Sequence, residues 1–538
     1  MSLVGIWVIL IPLICGLAAF AVGGRSSRVI GLIGAGLTFL LSGLLVLHVW
    51  QSGVWIYQLG GWDVPLGISL RADGLSAFLI GMTGAVGLGI SLYAVRYFEA
   101  LTPGPDSSPQ DGEQALTPGP SPNTGRGEDS VGGDSSNAGR GENERWLPGA
   151  SYWPLWMLLW ASLNVLFLSN DIFNLYVGLE LLTLASVALI ILQREQAAIV
   201  AGLRYLLAAF LGSMAYLLGV ALIYADAGVL DLGLLADAEL TGTATQVAGG
   251  LMAVGLLLKA ALFPLHFWLP AAHSSAPAPV SAALSALVVK GAFYLLIRLW
   301  FEVFESAGTV SVEQMIGGLG AVAIVVGSFQ AIRQERLKLM IAYSTVAQVG
   351  YLFIMIPLAG SFGDPEASWR FEAWTGGLYH ALSHGFAKAS MFLAAGVLLS
   401  ALGHDRVWHL AGSASRFPVI YLSFGIAGMS LMGLPPSAGF VGKWLMLRSA
   451  VESGQWWWVV ILLVGGLLTA GYVAIVLSQA LQHDVDEHTE PHPVPKLMTV
   501  MVFALAAMSL LLGLRAAEPL ELLEIGAPFQ TLMSVVED

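Results

Sequence analysis

Apolar residues run along this chain in long stretches separated by short polar connections, and a bilayer-crossing helix needs roughly 20 such residues. Hydropathy predicts fourteen spans, at about residues 4–22, 29–50, 75–95, 152–168, 172–192, 199–225, 246–264, 279–301, 312–332, 338–358, 374–401, 418–449, 456–481 and 497–514. No soluble fold hides that much apolar surface. The predicted class is all-α integral membrane, multi-pass, in a lipid bilayer.

One region breaks the pattern. Residues 100–148 are rich in Gly, Pro, Ser, Asp and Glu and contain near-copies, ALTPGP at 100 and 115 and GRGE at 125 and 139. A stretch of that composition cannot bury a core, so it is expected to be a disordered low-complexity insertion in a loop.

Composition agrees with the pattern: 56% of the residues are hydrophobic and 11% charged, which is the balance of a chain solvated mainly by lipid. The formal charge of −13 is partly an effect of the insertion. No basic stripe that could neutralise phosphates remains, which argues against a nucleic-acid partner. The first span lacks a positively charged start and a convincing cleavage site after it, so it is expected to be retained rather than removed as a signal peptide. The lone Cys15 excludes disulfides, cysteine-held iron–sulfur clusters and CxxC redox chemistry within the chain.

Positive charge alternates between connections. Arg25 and Arg28, Arg96, Arg194, Arg333 and Arg336, Arg406 and Arg416, and Lys496 mark one side, which the positive-inside rule makes cytoplasmic. The connections between them are poor in Lys and Arg and often acidic, as at Asp226, Asp231, Asp237 and Glu239. Both termini are then expected outside. The connection at 265–278, with no Lys or Arg, contributes nothing to this assignment.

The candidate chemistry lies in the lysines. The chain has seventeen arginines and six lysines. The arginines mostly flank spans, whereas Lys259, Lys290, Lys388 and Lys443 lie within apolar runs such as GLLLKAALF and ALVVKGAFY. Each costs about 2.5 to 3.5 kcal/mol at a helix centre, and function is the usual offset. Lysine, unlike arginine, loses its proton readily when buried, so it suits a proton carrier. A lysine can also snorkel to the interface or pair statically with an acid, and one alone would be read that way. Four are harder to dismiss. Glu180, the only carboxylate of its span, has Lys259 as a candidate partner.

His266 and His273 lie within FPLHFWLPAAH, and His380, His384 and Lys388 recur at i, i+4 and i+8 on one helical face. Imidazoles there can pass protons. A metal site competes, but HxxxH supplies only two ligands and no HExxH glutamate is present; haem ligation usually needs opposing helices. No cofactor and no metal are expected. Pro264 and Pro270 near Lys259, and Gly433, Pro435, Pro436 and Gly439 before Lys443, should unwind two spans locally, as broken helices do at transport sites.

These residues carry a resemblance. LGGWDVPLGISLRADGLSA from Leu59, NDIFNLYVGLELL from Asn170, KAALFPLHFWLPAAHSSAPAPVSAALSAL from Lys259, AYSTVAQVGY from Ala342 and GLPPSAGFVGKW from Gly433 resemble the antiporter-like membrane subunits of respiratory complex I and of the multisubunit Na+/H+ antiporters, and among the latter the D-type component above all. The resemblance implies fourteen helices with two inverted five-helix repeats, each with a broken helix. It divides the chain into helices 1–3 (residues 1–99), the insertion (100–148), a first repeat (149–304), a second repeat (305–481) and a loop, last helix and tail (482–538).

The resemblance further implies that Glu180 is the proton-path glutamate, Lys259 its partner, Lys290 the central lysine and Lys443 the terminal one. His380, His384 and Lys388 fall on a connecting stretch, and His266, His273 and Lys338 are further relay candidates. The expected function is proton translocation in a cation/proton antiporter complex of the cell's inner (plasma) membrane. A complex I or hydrogenase-type membrane arm is the alternative. The expected partners are other membrane subunits, and the expected ions are protons, with sodium as the second coupling candidate. No GxGxxG fingerprint in a strand-to-helix context is present, so no redox catalysis is expected of this chain itself.

Overall fold

The computed structural model describes residues 3–100, 148–238, 240, 242–304, 309–360, 367–482 and 492–529. The predicted insertion thus falls almost wholly outside the described residues. Helices α1 (Val4–Val22), α2 (Gly24–Ser52) and α3 (Gly74–Ala100) come first, with a small antiparallel hairpin of β1 (Trp55–Gln58) and β2 (Ser69–Ala72) between α2 and α3. Then follow α4 (Pro148–Leu168), α5 (Ile172–Ile190), α6 (Gln196–Ala227), α7 (Thr243–Lys259), α8 (Leu269–Ser275) and α9 (Ala278–Ala283). A π-turn, Leu284–Val288, joins α9 to α10 (Val289–Glu302). The remainder comprises α11 (Val310–Ile332), α12 (Leu337–Ala359), α13 (Ser368–Leu402), α14 (Pro418–Met432), α15 (Ala438–Glu452), α16 (Trp456–Leu481), α17 (Lys496–Leu514) and the short α18 (Ala517–Glu524).

Among the described residues twelve helical stretches are long and apolar enough to cross a membrane, and Thr243–Lys259 and Pro418–Met432 are shorter apolar helices. The two short ones are the leading parts of broken helices. Two sequence expectations need correction here, and the break expected before Lys443 is present. The span expected at 246–264 stops at Lys259, and the connection expected at 265–278 re-enters helix at α8. The span expected at 418–449 is two helices, α14 and α15.

The cause is local. Proline has no N–H to give the ladder, and its ring clashes with the preceding turn. Pro264 therefore cannot continue α7, and Ala261 just before it adopts a left-handed φ of 56°. Gly433, at φ 85°, ends α14, and Pro435 and Pro436 follow it.

Packing places the lysine-bearing helices innermost. The most apolar stretch of Ala278–Glu302 is wholly buried within the protein, whereas that of α1 is mostly not. The long α13 is the central post, touching α3, α9, α12, α14, α15 and α17. Exposed Leu, Ile, Val and Phe side chains on α1, α2, α6 and α16 make the outer surface apolar, as lipid requires. Helices α6 and α7 cross at glycine, where a β-carbon on Gly212 would stand 2.7 Å from the Gly255 carbonyl oxygen. That close crossing brings Lys259 up to α6, its Cγ 3.4 Å from the same point.

Candidate functional site

At the first broken helix, Lys259 is the last residue of α7, and its Nζ stands 3.5 Å from Glu180 Oε1 on α5. Helix α5 is fixed at its start by Asp171, whose carboxylate accepts from the Phe173 and Asn174 amides at 2.9 and 2.8 Å. The Lys259 ammonium donates a shorter bond, 2.9 Å, to Thr183 Oγ1, one turn after Glu180. Ser213 on α6 donates its hydroxyl to the carboxylate. A tight ammonium–carboxylate bond measures about 2.7–2.9 Å. The pair is therefore engaged but loose, with the lysine held as much by a neutral hydroxyl as by its counter-charge.

The centre is built on the π-turn. Lys290, five residues after Ser285, donates to the Ser285 carbonyl at 2.7 Å and meets Nδ1 of His384 on α13. The Ser285 hydroxyl bonds Thr345 of α12 at 2.8 Å. His384 Nε2 has no hydrogen-bonding partner among the described protein groups. One turn along α13, Lys388 donates to the Ser344 hydroxyl and to the Ile341 carbonyl, at 3.2 Å, on α12. His380, one turn before His384, contacts the Tyr351 ring with centroids 5.2 Å apart. His380, His384, Lys388 and Lys290 are all fully buried.

At the second broken helix the lysine follows the break. Gly433 and Leu434 donate to the Ser430 and Met429 carbonyls, leaving the last two carbonyls of α14 free. Lys443 of α15 takes both, reaching Leu431 O at 2.8 Å and Met432 O at 3.3 Å. Gly433 makes room for it, because a β-carbon there would lie 2.7 Å from the Lys443 Cδ. The ammonium also stands 3.8 Å from the centre of the Tyr351 ring. Among the described residues no carboxylate is within ion-pair distance of Lys290, Lys388 or Lys443.

The three further candidates have other surroundings. Lys338, at the start of α12, donates to the Ala276 carbonyl and, at 3.3 Å, to Ser274 O, so it ties the end of α8 to α12. His273 is fully buried and stacked on Phe392, centroids 5.0 Å apart. His266 is half-buried in the first break, stacked on Phe263. No hydrogen bond links Lys259 to Lys290, or Lys388 to His384, among the described residues. The structure therefore groups the candidates into three local clusters along α5–α7, α10–α13 and α12–α15.

Sequence reasoning missed a fourth cluster. Arg298 of α10, two turns beyond Lys290, is buried and clasps Asp73 with two bonds of 2.5 and 2.7 Å. It also pairs with Glu302, which in turn accepts from Arg71 at 2.9 Å. Burial pushes the Asp73 carboxyl up, but Arg298 and Arg71 outweigh it and hold it below the usual carboxylate range. Arg298 stands near the end of a span, where arginines anchor, and only the quoted motif LRADGLS hinted at an acid to meet it. The chain segment after α18 closes over this corner, the Gly74 amide donating to Ile525 O at 2.7 Å.

Known proteins share this architecture. Residues 169–469 match the family described as NADH:quinone oxidoreductase/Mrp antiporter, TM. The chain is 34% identical over 454 residues to NADH-quinone oxidoreductase subunit N of Desulforudis audaxviator, covering 83% of this chain and 80% of that one. It is 26% identical to the D-type component of the Na(+)/H(+) antiporter of Bacillus subtilis, covering 90% and 88%. Its fold matches a chain of the Mrp complex from Dietzia sp. with a TM-score of 0.79 at 22% identity, over 99% of both chains. With the matched segment running from just before Glu180 to beyond Lys443 and covering more than half the chain, this protein belongs to the NADH:quinone oxidoreductase/Mrp antiporter membrane-subunit family.

Proposed function

We propose that this chain is a proton-translocating subunit of a multisubunit cation/proton antiporter, in the plasma membrane with both termini on the outer side. Residues 149–304 and 305–481 act as two inverted five-helix units, each opened by one broken helix. Glu180 and Lys259 take a proton from one side; Lys290, His384, His380 and Lys388 move it across the middle; Lys443 is the terminal carrier. His266, His273 and Lys338 are placed at the margins of that route. The partners are the other membrane subunits of the complex, and a counter-ion gradient supplies the driving force, so no cofactor of this chain is called on.

One observation carries the reading: Lys290, Lys388 and Lys443 are buried without a carboxylate within ion-pair distance among the described residues. A static scaffold would neutralise such costly groups, whereas a carrier must be able to gain and lose its proton. A complex I-type membrane arm is the second reading, favoured by the higher identity to the NADH-quinone oxidoreductase relative than to the antiporter relative.

The test is proton translocation by vesicles carrying the whole complex. Lys259→Ala and Glu180→Gln are each expected to lower it about 100-fold while the complex assembles, since a positioned proton-transfer group is worth at least that. Wild-type pumping by both assembled variants would overturn the proposal. Pumping driven by a sodium gradient supports the antiporter reading, and pumping driven only by quinone reduction supports the second.

A further inference from the structure

The two broken helices treat their lysines differently, and an aromatic ring stands at the second where a carboxylate stands at the first. Lys259 has Glu180 beside it, whereas Lys443 has two helix-end carbonyls and the face of Tyr351. The carbonyls at a helix C-terminus carry partial negative charge, and an aromatic face attracts a cation most strongly where water is excluded. Tyr351 is fully buried on α12 and faces this ammonium at 3.8 Å. The same ring contacts the imidazole of His380, a member of the central cluster, with centroids 5.2 Å apart.

The ring is also held in place. A β-carbon on Gly465 of α16 would stand 2.2 Å from the Tyr351 hydroxyl, so the tyrosine fills the space that this glycine leaves.

We infer that Tyr351 is the positioning residue of the second broken helix: its ring holds the charged Lys443 on the end of α14 and separates the terminal carrier from His380 until the lysine swings away. It serves Lys443 as Glu180 serves Lys259, with a difference of chemistry. Glu180 can itself take a proton, which cancels its own charge and dissolves the ion pair. The ring cannot, so Lys443 is released only by losing its own proton or by moving. The inference rests on Lys443 being a carrier, as proposed above.

The test uses the whole complex in vesicles, with assembly checked for each variant. Tyr351→Phe keeps the ring and is expected to pump within about twofold of wild type. Tyr351→Leu keeps an apolar side chain but loses the π-face and is expected to pump roughly 10-fold more slowly, the scale of a desolvated cation–π contact. The pH profile of pumping by Tyr351→Leu is expected to move to lower pH than that of wild type, because the ring favours the protonated lysine, whereas a general packing defect would lower the flux without moving the profile. Where Tyr351→Leu does not assemble, Tyr351→Met takes its place with the same expectation. Wild-type pumping by the assembled Leu or Met variant, or equal loss in Phe and Leu, would overturn the role of the ring. Wild-type pumping by Lys443→Ala would instead overturn the carrier reading on which it rests.

Discussion

Lys259 and Lys443 sit at two broken helices, yet the protein surrounds them by different rules. Lys259 ends its helix before the break and meets a carboxylate, a threonine hydroxyl and a crossing of two glycines. Lys443 lies beyond its break and meets carbonyls and an aromatic face. The difference teaches that a buried ammonium can be held by either of two means. A titrating partner makes a pair whose charge is zero or one unit according to its protons. Fixed dipoles leave the lysine alone to titrate. A path with one kind of site at one end and the other kind at the other end has its asymmetry built in.

The comparison breaks most plainly at Lys443→Arg. Arginine keeps the charge and can bond the same carbonyls, but it does not release its proton. If Lys443 is a carrier, translocation by the assembled complex is expected to fall about 100-fold; if it is only a counter-charge for the end of α14, the flux stays near wild type. A smaller effect is expected at the first site from Thr183→Val, which removes the shorter of the Lys259 bonds and leaves Glu180 intact. A hydrogen bond to a charged group is worth about 1.5–3 kcal/mol, so a loss of roughly 10-fold in flux is the expected reading.

The breaks themselves differ in sign. Gly433→Ala puts a β-carbon both into a left-handed conformation and against Lys443. It is expected to destabilise the complex by about 1–3 kcal/mol, seen as a lower melting temperature in detergent. Ala261 already bears that conformation at the first break. Ala261→Gly is therefore expected to be neutral or to stabilise by up to about 1 kcal/mol. Equal losses in the two variants would remove the distinction.

The smallest effect at neutral pH concerns the Asp73–Arg298 cluster. The Asp73 carboxyl is held below its ordinary value, so its stabilisation is complete above an unfolded-state pKa of about 3.9 and is lost as pH falls through the lower folded-state value. Melting temperature is expected to be level through neutrality and to drop only in strong acid. Asp73→Asn, which leaves Arg298 with one carboxylate, should flatten that acid limb and lower the plateau.

Much of this is legible in the chain. Spans of uniform apolarity announce themselves, and a lysine inside one is conspicuous because lipid penalises it. The pairing of Glu180 with Lys259 follows from each being the one charged residue of its predicted span. The interval 265–278 reads as a loop because its prolines and absence of charge resemble a connection. Tertiary packing nevertheless buries a short helix there. The π-turn that presents Ser285 O to Lys290 has no local signature. Arg298 reads as an anchor because position along a span says nothing of which helix it faces. Lys338 looks like a relay member by residue type, and only the fold shows it bonded to the end of α8. Tyr351 reads as ordinary core, since its part depends on Lys443 arriving from a helix 92 positions away in sequence.

The central claim, that buried lysines carry the protons, is tested most directly at Lys290, which has a backbone carbonyl and His384 as its partners and, among the described residues, no carboxylate within ion-pair distance. Lys290→Met keeps the length and removes the titrating group. Proton flux through vesicles carrying the assembled complex is expected to fall about 100-fold, to near the level of empty vesicles. Flux equal to wild type would contradict the claim.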